Sequence, residues 1–144
     1  MDFVAAARAW CALIESRPDG RQTAEVAAAL ARLYAAGFHV PVVPWSDIDD
    51  HDDEPELAAP AGWQGLGVQY YPTMLDVLDL QSEQGVGDLT DDLVDIYLDI
   101  KRGLLLHDAG RPGAASHSWR LTCRGHWGHH AVAALGVLQA VLAR

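Results

Sequence analysis

Apolar residues return every three or four positions over residues 2–16, where Phe3, Ala7, Trp10 and Ile14 fall on one side with Val4 and Cys11 beside them. That period predicts a helix with one buried face. Asp2 supplies an N-cap, and Pro18-Asp19-Gly20 closes the element in a turn. A second helix is predicted over about 23–36, burying Val26, Leu30, Leu33 and Tyr34, with Gly37 as its stop. The connection is short, so the two should pack antiparallel. Periodicity then fails. Pro41 and Pro44 are too close together for a helix interior, and residues 38–69 read as a long surface loop anchored by Trp45 and Trp63. Pro72 is a good first-turn residue, and MLDVLDL after it predicts a third helix to about 81. A fourth is predicted over 90–107, with Thr90 as N-cap and Leu93, Ile96, Tyr97, Ile100 and Leu104 as its buried stripe. Gly110 and Pro112 separate it from a last helix over about 117–143. No stretch alternates as a strand would, and no repeat is present. The expected fold is all-α: one domain over residues 1–144, a bundle of four to five helices with a long acidic loop between helices 2 and 3.

Charge sharpens this picture. The 144 residues are 50% hydrophobic, enough for a continuous core without staples. The net charge of -10 is unevenly spread. Residues 33–100 hold fifteen Asp or Glu and no Lys or Arg, seven of the acids falling in 47–56. Residues 101–144 hold six Lys or Arg, one acid and five of the seven histidines, so this segment can supply the partners the middle lacks. A chain so acidic is unsuited to nucleic acid, whose phosphates require a basic face. No apolar run reaches membrane-spanning length. Asp2 and Arg8 do not fit a secretory leader, and Cys11 and Cys123 lie in apolar helical runs as free thiols. Together these point to the cytoplasm. Abundant alanine, nine Arg against one Lys and no Asn suggest a GC-rich bacterial genome. The partner is expected to be a protein or a small molecule, and Trp45, Trp63, Tyr70 and Tyr71 around the acidic run suit a basic surface.

Two blocks carry a resemblance, LTDDLVDIYLDIKRGL (89–104) and WRLTCRGHWGHHAVAAL (119–135). They resemble the domain-of-unknown-function family 5063, whose members show DDLxDIYxDLKxGL and HWGxHAxxAL patterns. FVAAARAWCALIE and Tyr70-Tyr71 also fit, so the likeness is taken to run the length of the chain. It points to Asp91, Asp92, Asp95, Tyr97, Asp99, Lys101, Gly103, Trp119, His126, Trp127, Gly128 and His130. Leu121 stands where the family tends to have phenylalanine. The resemblance implies a small all-helical fold and no particular activity.

On a continuous last helix, His126 and His130 lie one turn apart on the face that also carries Trp119, Cys123 and Trp127. Asp92, Asp95 and Asp99 form a matching row on the preceding helix. Two histidines at this spacing with a facing carboxylate can hold a divalent ion such as Mg, Mn or Zn, with His126, His130, Asp95 and Asp99 as ligands. The same groups can instead form a structural His–Asp network or line a small-ligand pocket walled by Trp127 and Tyr97. Gly125 and Gly128 would let another element approach the helix closely. Asp76-x-x-Asp79 followed by Asp92-x-x-Asp95 mimics the carboxylate spacing of all-α nucleotide pyrophosphatases, with every glutamate shortened to aspartate. The DDxxD string at 91–95 stands alone, and the acidic loop has Ala58 where a calcium loop closes with glutamate. No nucleophile elbow or phosphate-binding loop occurs. The favoured function is a non-catalytic protein-interaction or ligand-binding module built on the His/Asp/Trp cluster. The alternative is a metal-dependent phosphate-ester or nucleotide hydrolase.

Overall fold

The computed structural model describes residues 2–48 and 55–144. Helix α1 (Phe3–Glu15) and helix α2 (Thr23–Gly37) form the expected antiparallel pair, joined by a short 3-10 turn at Gly20–Gln22. Asp2 caps α1 by accepting from the Ala5 N–H at 2.8 Å. Trp10 and Ile14 of α1, and Val26, Leu30 and Leu33 of α2, are fully buried. The loop that follows contains a 3-10 turn at Trp45–Asp47. Trp63 anchors it, its indole N–H donating to the Pro18 carbonyl at 2.7 Å. Trp45 does not, being 80% exposed, with its ring against His117. Most of the acidic segment 47–56 lies outside the described residues.

The chain departs from the all-α expectation at residues 70–88. Strands β1 (Tyr70–Met74) and β2 (Gln84–Asp88) pair antiparallel where a third helix is predicted from Pro72, with Tyr71 opposite Gly87. The aromatic, β-branched run around YYPT favours a strand, and Pro72 is tolerable in a two-stranded ribbon whose edges are open. MLDVLDL has helical spacing but no neighbour to bury it, since Leu75, Val77, Leu78 and Leu80 are all exposed. Asp76 and Asp79 instead form side-chain turns, accepting from the Leu78 and Gln81 N–H groups at 2.9 Å each. They sit at the hairpin tip. The pyrophosphatase-like carboxylate spacing therefore does not converge on one site.

Helix α3 (Leu89–Asp108) starts directly from β2. Its cap is Asp88 rather than Thr90, the Asp88 carboxylate accepting from the Asp91 N–H at 3.1 Å. Leu93, Ile96, Tyr97, Ile100 and Leu104 are buried as the period requires. The predicted last helix is two helices, α4 (Pro112–Gly125) and α5 (Trp127–Leu142). They meet at His126, whose φ of -148° and ψ of -85° are not helical. Gly125 and Gly128 make this the weakest helix-forming stretch of the segment. Gly128 is also required sterically, because a Cβ there would overlap the carbonyl oxygen of Cys123. The glycine thus lets α5 fold back against the end of α4. After the break, α4 lies on α3, and α5 lies on α2 and α3. Trp10, Trp119 and Trp127 fill the shared core with no more than 2% exposure each.

Candidate metal centre

The break at His126 and the first turn of α5 bring two imidazoles against the acidic row of α3. His126 Nδ1 lies 2.6 Å from Asp99 Oδ2, and His130 Nδ1 lies 2.6 Å from Asp92 Oδ1. A carboxylate only accepts, so each Nδ1 carries the hydrogen and each Nε2 presents its far side away from these partners. Both Nε2 atoms converge on one oxygen, Asp95 Oδ2, at 3.3 Å from His130 and 3.8 Å from His126. The rings meet edge to face with centroids 4.8 Å apart. One donor atom from each of Asp95, His126 and His130 lies within 4.8 Å of the other two.

Burial differs across this cluster in a consistent way. Asp92 and Asp99 are buried, and leaving such carboxylates unpaired would cost several kcal/mol each. Each has two partners. Asp99 also accepts from Arg102 Nη1 at 3.3 Å, and Asp92 accepts a short hydrogen bond from the Tyr71 hydroxyl. Burial, then the Asp92 carboxylate, pushes the Tyr71 phenol well above its ordinary range, so it remains a donor. Tyr71 reaches Asp92 across β2 because its opposite residue is Gly87, where a Cβ would overlap the ring. Asp95 and the two Nε2 atoms are on the solvent side, the His126 side chain being 46% exposed. Buried carboxylates behind the imidazoles and a carboxylate in front of them is the arrangement in which outer partners fix the tautomer of metal-ligating histidines.

The sequence-nominated residues are thus partly brought together. Asp92, Asp95, Asp99, His126 and His130 form one cluster, but Asp99 stands behind His126 rather than beside Asp95. Trp127 is not a pocket wall: it is fully buried and donates its indole N–H to the Trp119 carbonyl at 3.1 Å. Tyr97 points elsewhere, its hydroxyl donating to Glu15 Oε1 at 3.0 Å. Lys101 Nζ meets the same oxygen at 2.6 Å, and this ammonium, more than Tyr97, holds the Glu15 carboxyl below its ordinary value. His129 turns to the Arg124 carbonyl. Tyr71 and Arg102 were not nominated by spacing. Tyr71 could have been found from the strand character of its neighbours, which places it across from a glycine.

A family model described as a domain of unknown function, DUF5063, matches residues 65–144, more than half of the chain. The chain belongs to the DUF5063 family. The match takes in the hairpin, α3, α4 and α5, and with them every member of the cluster including Tyr71. Helices α1 and α2 lie outside it, so the likeness read from FVAAARAWCALIE is not part of the DUF5063 match. No curated protein and no solved structure matches the chain. Among the described residues of this DUF5063 member, no helix is long and apolar enough to cross a membrane.

Proposed function

We propose that the chain binds a divalent transition-metal ion through His126 Nε2, His130 Nε2 and a carboxylate oxygen of Asp95. One observation carries this reading. In the neutral imidazole, with Nδ1–H bonded to Asp92, His130 would direct the lone pair of Nε2 at a carboxylate oxygen 3.3 Å away. Two acceptors face each other, and His126 adds a third at 3.8 Å. A single cation satisfies all three at once. The charge agrees: Asp92, Asp95 and Asp99 bring three carboxylates, and among the described residues Arg102 is the Lys or Arg side chain bonded to one of them.

The donor set fits such an ion. Metal–ligand bonds of about 2.0–2.1 Å place tetrahedral neighbours about 3.3 Å apart, the separation already present between His130 and Asp95. The three donor atoms lie within 4.8 Å of one another, so the half-exposed His126 ring would have to rotate to bring its Nε2 into range. Two imidazoles favour Zn or Fe over Mn and Mg, which prefer oxygen. Three protein ligands with an open solvent side is the pattern of a reactive rather than a closed structural site. When bound, the ion would supply Lewis acidity and an activated water, the chemistry that the phosphate-ester hydrolase reading requires. The chain's own part is to fix both tautomers through Asp92 and Asp99 and to hold Asp95 opposite them.

The test is metal titration of untagged, chelator-treated protein with Zn, Fe(II) and Mn, alongside His126→Ala, His130→Ala and Asp95→Asn. His129→Ala is the control, since its ring lies outside the cluster. Stoichiometric binding that survives only in the wild type and the control is expected. Wild-type protein that takes up no metal, or cluster variants that bind as tightly as wild type while remaining folded by circular dichroism, would refute the reading.

A further inference from the structure

The hairpin carries a second surface that the metal centre does not use. Leu75, Val77, Leu78 and Leu80 sit in the connection between β1 and β2, with Leu78 92% exposed and Leu80 fully so. None of them contributes to the core. Below this tip, β1 and the outer face of α5 enclose a groove of about 650 Å³, lined among others by Tyr70, Pro72, Met74, Val132, Val137 and Val141. Tyr70 and Val132 are themselves exposed. Val77 belongs both to the tip and to the lining of the groove, and exposed apolar surface of this extent is characteristic of a surface that another molecule covers.

Charge selects the occupant. Asp76, Asp79 and Glu83 surround the tip, all three exposed; residues 33–100 contain no Lys or Arg, and Arg144 is the charged residue among those lining the groove itself. A second copy seated through a two-fold axis would bring these acids against their own images, and an anionic membrane surface would be repelled in the same way. The groove suits an amphipathic helix, whose anchors at three- and four-residue spacing fill it while its polar flank meets the rim. We infer that the hairpin tip and the groove between β1 and α5 dock a cationic amphipathic helix of a partner protein, leucine-like anchors in the groove and Lys or Arg against Asp76, Asp79 and Glu83.

The probe is a fluorescent Leu/Lys amphipathic helical peptide, compared with a Leu/Glu peptide of the same pattern, titrated onto the full chain. Val77→Ser/Leu78→Ser/Leu80→Ser changes only exposed positions at constant charge. Asp76→Asn/Asp79→Asn/Glu83→Gln removes three charges and keeps the side-chain acceptors of the turn. The Leu/Lys peptide should bind and the Leu/Glu peptide should not. The apolar triple should weaken binding by about tenfold or more, and the neutralised triple should weaken it and flatten its salt dependence. The proposal is overturned by equal binding of the two peptides, by no binding of the Leu/Lys peptide, or by unchanged affinity in either triple. It is also overturned by a dimer in sedimentation equilibrium that the apolar triple dissociates, which would make a second copy the occupant. Binding to phosphatidylserine vesicles that the same triple abolishes would overturn it in favour of a membrane.

Discussion

Tyr71→Phe separates the hairpin from the proposed metal centre with the loss of one oxygen atom. The ring keeps its place over Gly87, since only the hydroxyl is removed. Asp92 then loses one of its two side-chain donors and keeps His130 Nδ1. A hydrogen bond to a charged group contributes about 1.5–3 kcal/mol. Asp92 is buried but Tyr71 only partly so, which places this bond at about 1.5 kcal/mol, the lower end of that range. For a chain of this size that corresponds to a fall in Tm of about 3–6 °C, measured by differential scanning calorimetry of metal-free protein. The effect on metal is independent of that number. Outer partners of ligating histidines are worth about 10–100-fold in affinity, and Tyr71 acts one step further out, through Asp92 on His130. A loss of about tenfold in Zn affinity is expected. An unchanged Tm would refute the hydrogen bond itself. A lowered Tm with unaltered Zn affinity would show that Tyr71 supports the fold and not the ligand.

Three further outcomes follow from the same geometry. Gly128→Ala forces a Cβ into the Cys123 carbonyl, a backbone atom that cannot swing aside; a loss of about 1–3 kcal/mol is expected in urea denaturation, with Zn affinity falling as His126 is carried away from Asp99, and a variant as stable as wild type would show that α4 and α5 do not approach so closely. Burial pushes the Cys11 thiol up to about 12, so at neutral pH it should react with a disulfide reagent only after denaturation; prompt labelling of Cys11 in the native protein would contradict its burial. Lys101, with a smaller share from Tyr97, lowers the folded pKa of Glu15 below the unfolded value, so this carboxylate adds stability above about pH 4.3 that is lost as pH falls through the folded pKa. Glu15→Gln should therefore be less stable than wild type at neutral pH and converge with it in acid; curves that stay parallel would rule out the pairing.

Helices were legible where burial repeats with a helical period. Most of the stripes of α1, α2 and α3 follow from the period because each has one face on the core and one in solvent, although Val4 and Tyr34 are only partly buried and Ala6 and Leu89 join the core beside the expected residues. The hairpin was not legible for the opposite reason. Leu75, Leu78 and Val77 imitate a helical stripe, yet their spacing has no buried neighbour behind it, and the turn is set by Asp76 and Asp79 closing on their own backbone. Local hydrogen bonding of aspartate competes with helix formation, and it prevails where no tertiary contact rewards the apolar positions. The exposure of these apolar positions is the same feature on which the proposed docking surface rests.

The cluster shows a different division. The i, i+4 spacing of His126 and His130 and the row at 92, 95 and 99 predicted which elements meet, and that survives although His126 is not inside a helix. Which carboxylate does what could not be read from spacing, because a straight helix would set both imidazoles as equivalents above the row. The break at His126 turns its ring toward Asp99 while His130, one turn into α5, reaches Asp92, and only then do both Nε2 atoms meet Asp95. The glycines flanking the pair are therefore part of the site: they cost helix stability in RGHWGHH, and what that cost produces is a bend that aims two rings at one oxygen. Restoring a continuous helix there would leave the same residues in the same order and remove their convergence.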